Sequence, residues 1–454
     1  MKIPGILELS SRTKYGMTSR NVPIYLFRPL NTTLPLCIVG SSNKDTSANV
    51  LALVDVTEIQ PAKLNRGNLI RILGSCGDIS AEKEALLLEY SDQPWRKFDT
   101  QNIQRPSFEG RRLIEGYTLN IDPLGCQDID DVLTFGDDGY IYITIADVSA
   151  WFLANPNHPF VKIASTLGQT LYDSGRVVAP LLPIEKECSL LPGEERLGIS
   201  LKFLWTGSKI EEISFEKTRI INNKTFTYDN IYESNKANLL REISSYLAGY
   251  QVVDSHKWIE QLMLFYNCQA ANLLAQKGVG ILRVHETPDE ERLNQFSNIL
   301  GPDAKFLAYK SAEYVWVNEK GGRIHWGLNK QHYCHASSPI RRYADIINQI
   351  VLSNNWNSDW NVETELLNGL SRKAKKFDRD SFFLNKVLDT ANRSTYGIIV
   401  NDHRIWAPEW KRMVTCKNDF TPGTKGVLHY SLDMNQSTWK RRMVFRFEGT
   451  GYLG

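Results

Sequence analysis

The sequence predicts an α+β protein of several domains: a small β-barrel, then a central mixed α/β domain, then a small β-rich domain. Short β-favouring runs separated by Gly, Pro, Asn and Ser fill residues 1–95, and strand patterns return after residue 397. Between these regions, helical spacing predominates from about 228 to 300 and again after Ser338. A chain of 454 residues is long enough for about two to four domains.

The first domain is predicted at residues 1–95. The runs NVPIYLFRP, PLCIVG, NVLALVDVT and NLIRILG are β-favouring and closely spaced, which is typical of a small barrel or sandwich. An oligonucleotide-binding (OB) barrel is one candidate. Residues 96–112 are polar and basic, so we expect a linker there.

The central domain is predicted at residues 113–396. GYIYITIADVSAWF is strongly strand-like, whereas HKWIEQLMLFYNCQAANLLAQKG has apolar residues at helical spacing and should end at Gly278. Three further helices are predicted: one starting at Pro288, one starting at Ser338 and Pro339, and a long polar one at about 361–396. Ser is a good N-cap and Pro suits the first position of a helix, which supports the second of these.

The last domain is predicted at residues 397–454. YGIIVN, KGVLHY and RRMVFRFEG have strand patterns. The same region carries the basic groups KR at 411–412 and KRR at 440–442.

Composition and charge exclude several classes of protein. The net charge is +2, so a polyanionic ligand would have to meet a local basic surface. Seven scattered cysteines without a C-x-x-C pair favour reduced thiols over a disulfide framework or a zinc site. No apolar run reaches about 18 residues, so no membrane interaction is expected. The N-terminus lacks the apolar segment of a secretory signal. We expect a cytoplasmic protein, with organellar or viral origin left open.

The segment IDPLGCQDIDD places Asp122, Asp128, Asp130 and Asp131 close together between two strand-like runs. One interpretation is a solvated acidic turn, since Asp side chains bond nearby backbone amides. A calcium loop of the EF-hand type does not fit, because the required Gly and Glu positions are missing. The remaining interpretation is a magnesium site, because Mg²⁺ prefers carboxylate oxygens and phosphates. The cluster alone leaves the solvated turn and the metal site open.

The segment SSPIRRYAD carries Arg341 and Arg342 in the first turn of a predicted helix. Basic residues there oppose the helix dipole, but the free N–H groups of a helix start favour phosphate. An arginine at such a site can stabilise charge on a phosphoryl group. The alternative is structural: Arg341 and Asp345 are four residues apart and could form a surface ion pair.

Together these segments closely resemble the RNase II (RNB) family of exoribonucleases. The resemblance rests on blocks that occur in the family's order over about 105–350: NIDPLGCQDIDD, YITIADVSAWF, LYDSGRVVAPLLP, CSLLPGEERL, FTYDNI, IEQLMLFYN, RVHETPDEERL, HWGL and YCHASSPIRRYADIINQ. Residues 1–95 resemble the family's cold-shock-like barrel more loosely. The tail lies where the family carries a C-terminal OB-fold RNA-binding domain.

The resemblance implies a Mg²⁺-dependent hydrolytic 3′→5′ exoribonuclease that degrades single-stranded RNA to nucleoside 5′-monophosphates. It also implies partners such as an RNA helicase or an RNA-decay complex. The implied metal ligands are Asp122, Asp128, Asp130 and Asp131, and the implied catalytic residues are Asp130, Asp131 and Arg341, which clamps the phosphate. Tyr172 is implied to stack on the 3′-terminal base, and Tyr228 and Glu260 to lie near the terminal nucleotide. For the tail, we expect Lys440, Arg441 and Arg442 to bind RNA through their charge.

The sequence departs from the family pattern at two places. Thr144 stands where the family often has His, and we expect no catalytic consequence. Glu286, Thr287 and Pro288 follow His285, where some relatives provide a second aromatic to clamp the base. Neither His285 nor His325 is assigned a chemical role.

Two other functions remain open from the sequence. The chain could keep the fold as a catalytically inactive RNA-binding regulator, although the intact aspartates and Arg341 argue against it. It could also be a DNA nuclease with the same metal chemistry, since contacts to the 2′-OH decide between RNA and DNA.

Overall fold

The computed structural model describes residues 1–57, 64–301, 309–319, 321–388, 393–433 and 439–449, without the side chains of residues 387, 388 and 441. Within these ranges, no helix is long and apolar enough to cross a bilayer. All seven cysteines are described, and each is a free thiol.

The N-terminal region forms a closed five-stranded barrel, as predicted. Its strands are β1 (Lys2–Leu7), β2 (Ile24–Pro29), β3 (Cys37–Gly40), β4 (Val50–Asp55) and β5 (Asn65–Ser75), in the order β1-β2-β3-β5-β4. Phe27, Val39 and Val54 come from three different strands and are fully buried in one apolar cluster inside the barrel. Burying this apolar surface is the main favourable term that closes such a barrel.

A helix, α1 (Ile79–Tyr90), follows the barrel. The β-rich region predicted at 1–95 therefore ends in a helix that was not predicted from the sequence. Asp78 caps the helix, since its Oδ1 accepts the Ala81 N–H at 2.9 Å. The buried face of α1 includes Glu82 together with Ala85 and Leu86. A charged residue on the buried face breaks the apolar periodicity that would have indicated a helix.

The central region is built on a seven-stranded sheet of order β14-β7-β8-β9-β12-β13-β6. Its strands are β6 (Arg112–Leu113), β7 (Gly116–Ile121), β8 (Asp131–Gly136), β9 (Ile141–Ala146), β12 (Glu195–Trp205), β13 (Ile210–Ile221) and β14 (Lys224–Phe226). Two antiparallel strand pairs lie outside the sheet, β10 (Leu171–Asp173) with β11 (Arg176–Ala179) and β15 (Ile281–Val284) with β16 (Glu313–Trp316). All pairings in the sheet are antiparallel except β6 with β13 and β7 with β14.

Helices cover both faces of this sheet. The helices of the central region are α2 (Val148–Ala154), α3 (Pro159–Leu167), α4 (Glu185–Cys188), α5 (Ala237–Ala248), α6 (Ser255–Lys277), α7 (Glu290–Leu300), α8 (Tyr343–Leu352) and α9 (Thr364–Leu388). Of these, α7 packs against Ile398 and Trp406 of the C-terminal region. The sheet has an apolar core on each of its two faces. Strand β9 contributes to both cores, because successive side chains of a strand point to opposite faces of the sheet. Tyr142 packs in the cluster that includes α2, α3 and α8, whereas Ile143 packs in the cluster that includes α5 and α6. The strand is therefore buried on both faces, as its nearly continuous apolar sequence indicates.

The predicted helix boundaries are partly right. Helix α6 ends before Gly278, whose φ of 67° is the left-handed conformation that favours glycine. Helix α7 starts at Glu290, not Pro288, because Asp289 is its N-cap and accepts the Arg292 N–H at 2.9 Å. The predicted helix at about 361–396 starts later, at Thr364. Residues 389–392 lie outside the described part, and 394–396 belong to a strand.

The helix predicted to start at Ser338 and Pro339 instead starts at Tyr343. Long-range hydrogen bonds hold the preceding segment out of the helix. The Arg341 carbonyl accepts the Thr170 N–H at 3.0 Å, and the Tyr343 N–H donates to the Gly168 carbonyl at 2.9 Å. Asp345 also accepts the Ser338 N–H, at 2.7 Å. Arg341 and Arg342 therefore precede the helix, and the prediction that they lie in its first turn is wrong.

The C-terminal region is β-rich, as predicted. An antiparallel sheet of order β19-β18-β17-β20-β21 is built from β17 (Ser394–Asn401), β18 (Arg404–Ala407), β19 (Arg412–Thr415), β20 (Lys425–Leu432) and β21 (Met443–Gly449), with α10 (Trp439–Arg442) before its last strand. Its core contains Leu86 of α1 and Phe377 of α9 beside Leu428 of the sheet. One core thus joins segments from all three predicted domains.

The predicted linker at 96–112 packs against the central region. Ile103 is buried in the core on the α2 side of the sheet. Nearby, Asn155 Oδ1 accepts the Gln104 N–H at 2.8 Å. Just before this range, the Trp95 indole donates to the Pro180 carbonyl at 2.9 Å. The segment is held in place at several points along its length.

Candidate active site

The acidic segment is a connection between two neighbouring strands of the central sheet. Strand β7 ends at Ile121 and the antiparallel β8 starts at Asp131. Asp122 and Asp131 therefore lie at adjacent strand ends, although nine positions separate them in the chain. The Asn120 side chain holds Asp122, donating from Nδ2 to Oδ2 at 2.9 Å.

Asp130 is the most enclosed of the four aspartates, with 6% of its surface exposed. Its Oδ1 accepts the Ile340 N–H at 3.0 Å, and its Oδ2 accepts the Arg341 Nε–H at 3.3 Å. Burial raises the pKa of Asp130 to about 7, although the Arg341 charge and the Ile340 hydrogen bond oppose the shift. This carboxyl brings together two segments that the sequence analysis treated separately.

Asp131 and Asp122 lie in an environment that disfavours their charged forms. Burial raises the pKa of Asp131 well above its usual range, and the charges of Asp122 and Asp130 raise it further. Burial also raises the pKa of Asp122, with Asp128 adding to the shift. The carboxylates are thus close together in a region of low polarity with too little positive charge nearby.

The two neighbouring arginines have different roles in the structure. Arg341 is 44% exposed and pairs with Asp130, while its Nη2 donates to Ser338 Oγ at 2.9 Å. Arg342 is more enclosed and pairs with the fully buried Asp345 at 2.9 Å. The surface ion pair of Arg341 with Asp345 that the spacing suggested is replaced by these two pairs.

Tyr172 contacts the acidic cluster through its hydroxyl group. The hydroxyl donates to Asp128 Oδ2 at 2.8 Å, and burial raises the pKa of the tyrosine. The ring of Tyr228 stacks on His256, with centroids 3.9 Å apart and planes 12° apart. Burial raises the pKa of Tyr228 to about 12, and the charges of Asp122 and Asp131 contribute.

Glu260 lies on α6 and forms an exposed ion pair with Lys257 at 2.5 Å. Spacings of about one helical turn place Glu260, Met263 and Asn267 on the same face of α6, and all three line the same cavity. This cavity measures about 560 Å³. It is lined by eight predicted residues: Asp122, Asp128, Asp130, Asp131, Tyr172, Tyr228, Glu260 and Arg341.

The three basic residues predicted in the tail do not line this cavity. Lys440 Nζ pairs with Asp380 at 2.5 Å. Arg442 pairs with Glu82 at 2.6 Å, and both side chains are almost fully buried. The Arg441 side chain lies outside the described part of the chain. The RNA-binding role of this cluster stays a prediction.

Several polar groups of the cavity were not predicted from the sequence. Asn267 is buried on α6, where its Nδ2 donates to Ser337 Oγ at 3.0 Å and its Oδ1 accepts the Ala336 N–H at 2.9 Å. It therefore fixes the segment that leads to Arg341. Two signals were present in the sequence: Asn267 is a polar residue within the apolar pattern of a helix, and it ends the block IEQLMLFYN. Tyr333 also lines the cavity. It is the first residue of the block YCHASSPIRRYADIINQ, but no role was predicted for it.

The departures from the family pattern lie outside this cavity. Thr144 is buried in the sheet, and its hydroxyl is 2.6 Å from Ser200 Oγ. Glu286 forms an exposed ion pair with Lys310. His285 and His325 pack with ring centroids 5.2 Å apart, and burial lowers the pKa of His325 to about 4. These positions belong to the packing of the fold in the described structure.

The donor chemistry of the cavity suits a hard divalent cation such as Mg²⁺, which binds carboxylate oxygens. The raised pKa values of Asp122 and Asp131 support this match, because a cation would offset the mutual repulsion of the carboxylates. Within the described residues, no three acidic, His or Cys side chains converge closely enough to hold an ion as they stand.

Comparison with models of known protein families shows to which family the chain belongs. The family model described as RNB domain matches residues 111–241 and 233–357, which together exceed half of the chain. The chain belongs to the RNB family. The model described as Dis3-like cold-shock domain 2 matches residues 24–91 of this RNB protein, which contain strands β2 to β5 of the barrel and α1.

Individual relatives of this RNB protein are distant. The probable exosome complex exonuclease RRP44 of Caenorhabditis elegans is 24% identical over 81% of the chain and 49% of the relative. The chain thus spans about half the length of this curated relative. Mycoplasma genitalium RNase R, solved in complex with ribose-methylated single-stranded RNA, has a TM-score of 0.74 at 17% identity, covering 99% of this chain and 90% of that one. Yeast Ssd1, a pseudonuclease, has a TM-score of 0.68 at 15% identity, covering 96% and 67%. The predicted family and fold class are confirmed.

Proposed function

We propose that this RNB protein is a hydrolytic exoribonuclease that degrades single-stranded RNA from its 3′ end to nucleoside 5′-monophosphates. The observation that carries the proposal is the meeting of Asp130 and Arg341, 211 positions apart in the chain, in a cavity with three further aspartates. A carboxylate cluster beside a partly exposed guanidinium is suited to phosphoryl chemistry. The names of RRP44 and RNase R support the same activity.

Arg341 is the group that we expect to bind the reacting phosphate. Asp130 and Ser338 hold its Nε and Nη2, so the guanidinium is oriented before the substrate arrives. Because 44% of the side chain is exposed, it can still contact a phosphate oxygen. A preorganised charge of this kind stabilises the negative charge that develops during phosphoryl transfer.

Mg²⁺ is the proposed cofactor, held by Asp122, Asp128, Asp130 and Asp131. When bound, it would lower the pKa of a water and stabilise charge on the phosphate oxygens. The protein's part is to hold the carboxylates in place. Asn120 orients Asp122, the Tyr172 hydroxyl orients Asp128, and the Ile340 amide orients Asp130.

Tyr172, Tyr228 and Glu260 are proposed to contact the terminal nucleotide. Stacking on an aromatic ring tolerates any base, as a degradative enzyme requires. His256 already covers one face of Tyr228, so that ring offers at most its other face. Association with an RNA helicase or an RNA-decay complex stays a prediction.

A second candidate function is RNA binding without cleavage. The fold match to the pseudonuclease Ssd1 shows that this architecture also occurs in a protein described as lacking nuclease activity. The intact aspartates and the Asp130–Arg341 pair favour the enzyme over this candidate.

The test is hydrolysis of a 5′-labelled single-stranded RNA with Mg²⁺, comparing the wild type with Asp130→Asn. We expect the variant to lose roughly 100-fold or more of the rate while retaining RNA binding. Asp137→Asn is the matched control, because Asp137 is exposed and does not line the cavity. Chromatography should show nucleoside 5′-monophosphates released from the 3′ end.

Three results would contradict the proposal. Wild-type rates in Asp130→Asn would exclude the assigned site. Absence of Mg²⁺-dependent cleavage by the pure wild-type protein would favour the RNA-binding regulator. Equal cleavage of a DNA oligonucleotide of the same sequence would indicate a nuclease without RNA specificity.

A further inference from the structure

A second cavity of the described structure is lined by two tryptophans and three carboxylates. It measures about 600 Å³ and lies between β16, the start of α9 and the segment that joins α8 to α9. We call it the tryptophan cavity, and we call the cavity that contains the four aspartates the acidic cavity. The two cavities share no lining residue.

The rings of Trp316 and Trp356 both line the tryptophan cavity and contact each other. Their centroids are 6.3 Å apart and their planes meet at 67°. Each ring is partly buried against the core, and the Trp316 indole N–H donates to the Val362 carbonyl at 2.8 Å. The fold thus holds two aromatic rings in place beside a cavity. The face of such a ring attracts a cation within about 6 Å of its centroid.

Three carboxylates line the same cavity, and its lining residues include no Lys, Arg or His. Glu319 follows β16, whereas Glu363 and Glu365 flank Thr364, the first residue of α9. Thr364 Oγ1 donates to Glu319 Oε1 at 3.3 Å, which joins the two segments. Glu365 pairs with Arg372 at 2.7 Å, but Glu319 and Glu363 take part in no ion pair among the described residues.

The charges of this cavity favour a positive ligand. The positive end of the α9 dipole stabilises acidic residues at the helix start, but it amounts to only about half an elementary charge. Two unpaired carboxylates would repel a phosphate, so the RNA backbone does not suit this cavity. A cation on the tryptophan rings would be attracted both by the rings and by Glu319 and Glu363.

We infer that the tryptophan cavity binds an arginine side chain from an extended, basic segment of a partner protein. Arginine fits better than lysine, because its planar guanidinium stacks on aromatic rings and pairs with a carboxylate through two N–H groups. Asn318, Ser358 and Asn361 also line the cavity, and amide and hydroxyl groups suit the backbone of a peptide. This role is separate from the proposed hydrolysis, which takes place in the acidic cavity.

The test measures binding of a fluorescein-labelled peptide, Gly-Arg-Gly-Arg-Gly-Arg-Gly, by anisotropy at low salt. Mg²⁺ is present to offset the charge of the aspartates in the acidic cavity. The variant Glu319→Gln/Glu363→Gln should fold, because both side chains are exposed. Losing two ion pairs should weaken binding by about 10-fold. A peptide with citrulline in place of arginine should bind the wild type more weakly by at least the same factor.

The matched control is Glu115→Gln/Glu242→Gln, which removes the same charge at two exposed residues outside both cavities. We expect its affinity for the peptide to stay within twofold of wild type. Unchanged affinity in the cavity variant, or equal weakening in the control, would overturn the inference. Because peptide binding needs no cleavage of RNA, a protein that binds the peptide but never hydrolyses RNA would refute only the proposed function.

The tryptophans also report where the peptide binds. The chain has 11 tryptophans, and none of them lines the acidic cavity. In NMR spectra with isotope-labelled tryptophan, the peptide should shift the indole signals of Trp316 and Trp356, which Trp316→Phe and Trp356→Phe identify. If neither signal moved, the peptide would bind elsewhere and the inference would be wrong. It would also be wrong if spermidine displaced the peptide at equal concentration, since a small polyamine would then be the ligand.

Discussion

Two clusters of like charge occur in the sequence, the aspartates at 122–131 and the basic residues at 440–442. They differ in how many of their charges are paired with an opposite charge in the folded protein. In the acidic cavity, Asp130 pairs with Arg341, and the other three aspartates have no ion pair among the described residues. In the tail, Lys440 and Arg442 each meet a carboxylate that is almost fully buried. A charged cluster is available to a ligand only where the fold does not supply the opposite charge.

The largest effect expected from this comparison is on stability, at the pair of Arg442 and Glu82. Both side chains are almost fully buried, and the pair joins the last helix to α1. Arg442→Ala would leave Glu82 charged and buried, which costs about 3–5 kcal/mol. Urea unfolding should therefore show a much lower midpoint for the variant.

The control for this prediction is Arg446→Ala. Arg446 pairs with Glu448 in the same sheet, but the two side chains are 80% and 53% exposed. Exposed pairs contribute about 1 kcal/mol or less. Equal midpoints for the two variants would mean that the buried pair does not hold the tail to α1.

Local signals explain what the sequence predicted about the fold. The end of α6 follows from Gly278, whose left-handed conformation is a property of one residue. The start of α8 could not be predicted in this way. Its position depends on hydrogen bonds from the segment before it to Gly168 and Thr170, and no local pattern encodes those contacts.

The candidate site was predictable for a similar reason. Its aspartates and Arg341 occur in compact motifs, so the residue types were visible in the sequence. Their interactions were not visible, because they span long separations, such as Tyr172 to Asp128 and Ile340 to Asp130.

The second prediction concerns Asp130, the most enclosed carboxyl of the acidic cavity. The pKa of Asp130 is raised to about 7 in the folded protein, against about 3.9 when unfolded. The folded state therefore binds a proton that the unfolded state has lost between these values. Stability from this group is present at low pH and is lost as the pH rises through about 7.

In EDTA, raising the pH from 5 to 8 should cost the wild type about 2–3 kcal/mol relative to Asp130→Asn, which lacks this titration. Thermal or urea unfolding of both proteins at each pH measures the difference. Mg²⁺ should restore the stability of the wild type at pH 8 more than that of the variant. A difference between the two proteins that does not change with pH would show that Asp130 is ionised throughout.

The smallest effect is expected for Lys440→Ala, which tests the tail cluster directly. Lys440 is 42% exposed, and Asp380 also accepts hydrogen bonds from Tyr90 at 3.0 Å and Arg412 at 3.4 Å. Losing one of three partners should cost about 1 kcal/mol or less. Because the Lys440 ammonium already meets a carboxylate, its removal should leave the salt dependence of RNA binding unchanged. If the slope of log K for RNA binding against log salt fell by about 0.7, Lys440 would leave Asp380 to contact a phosphate. The basic cluster would then also be available to a ligand, as the acidic cluster is.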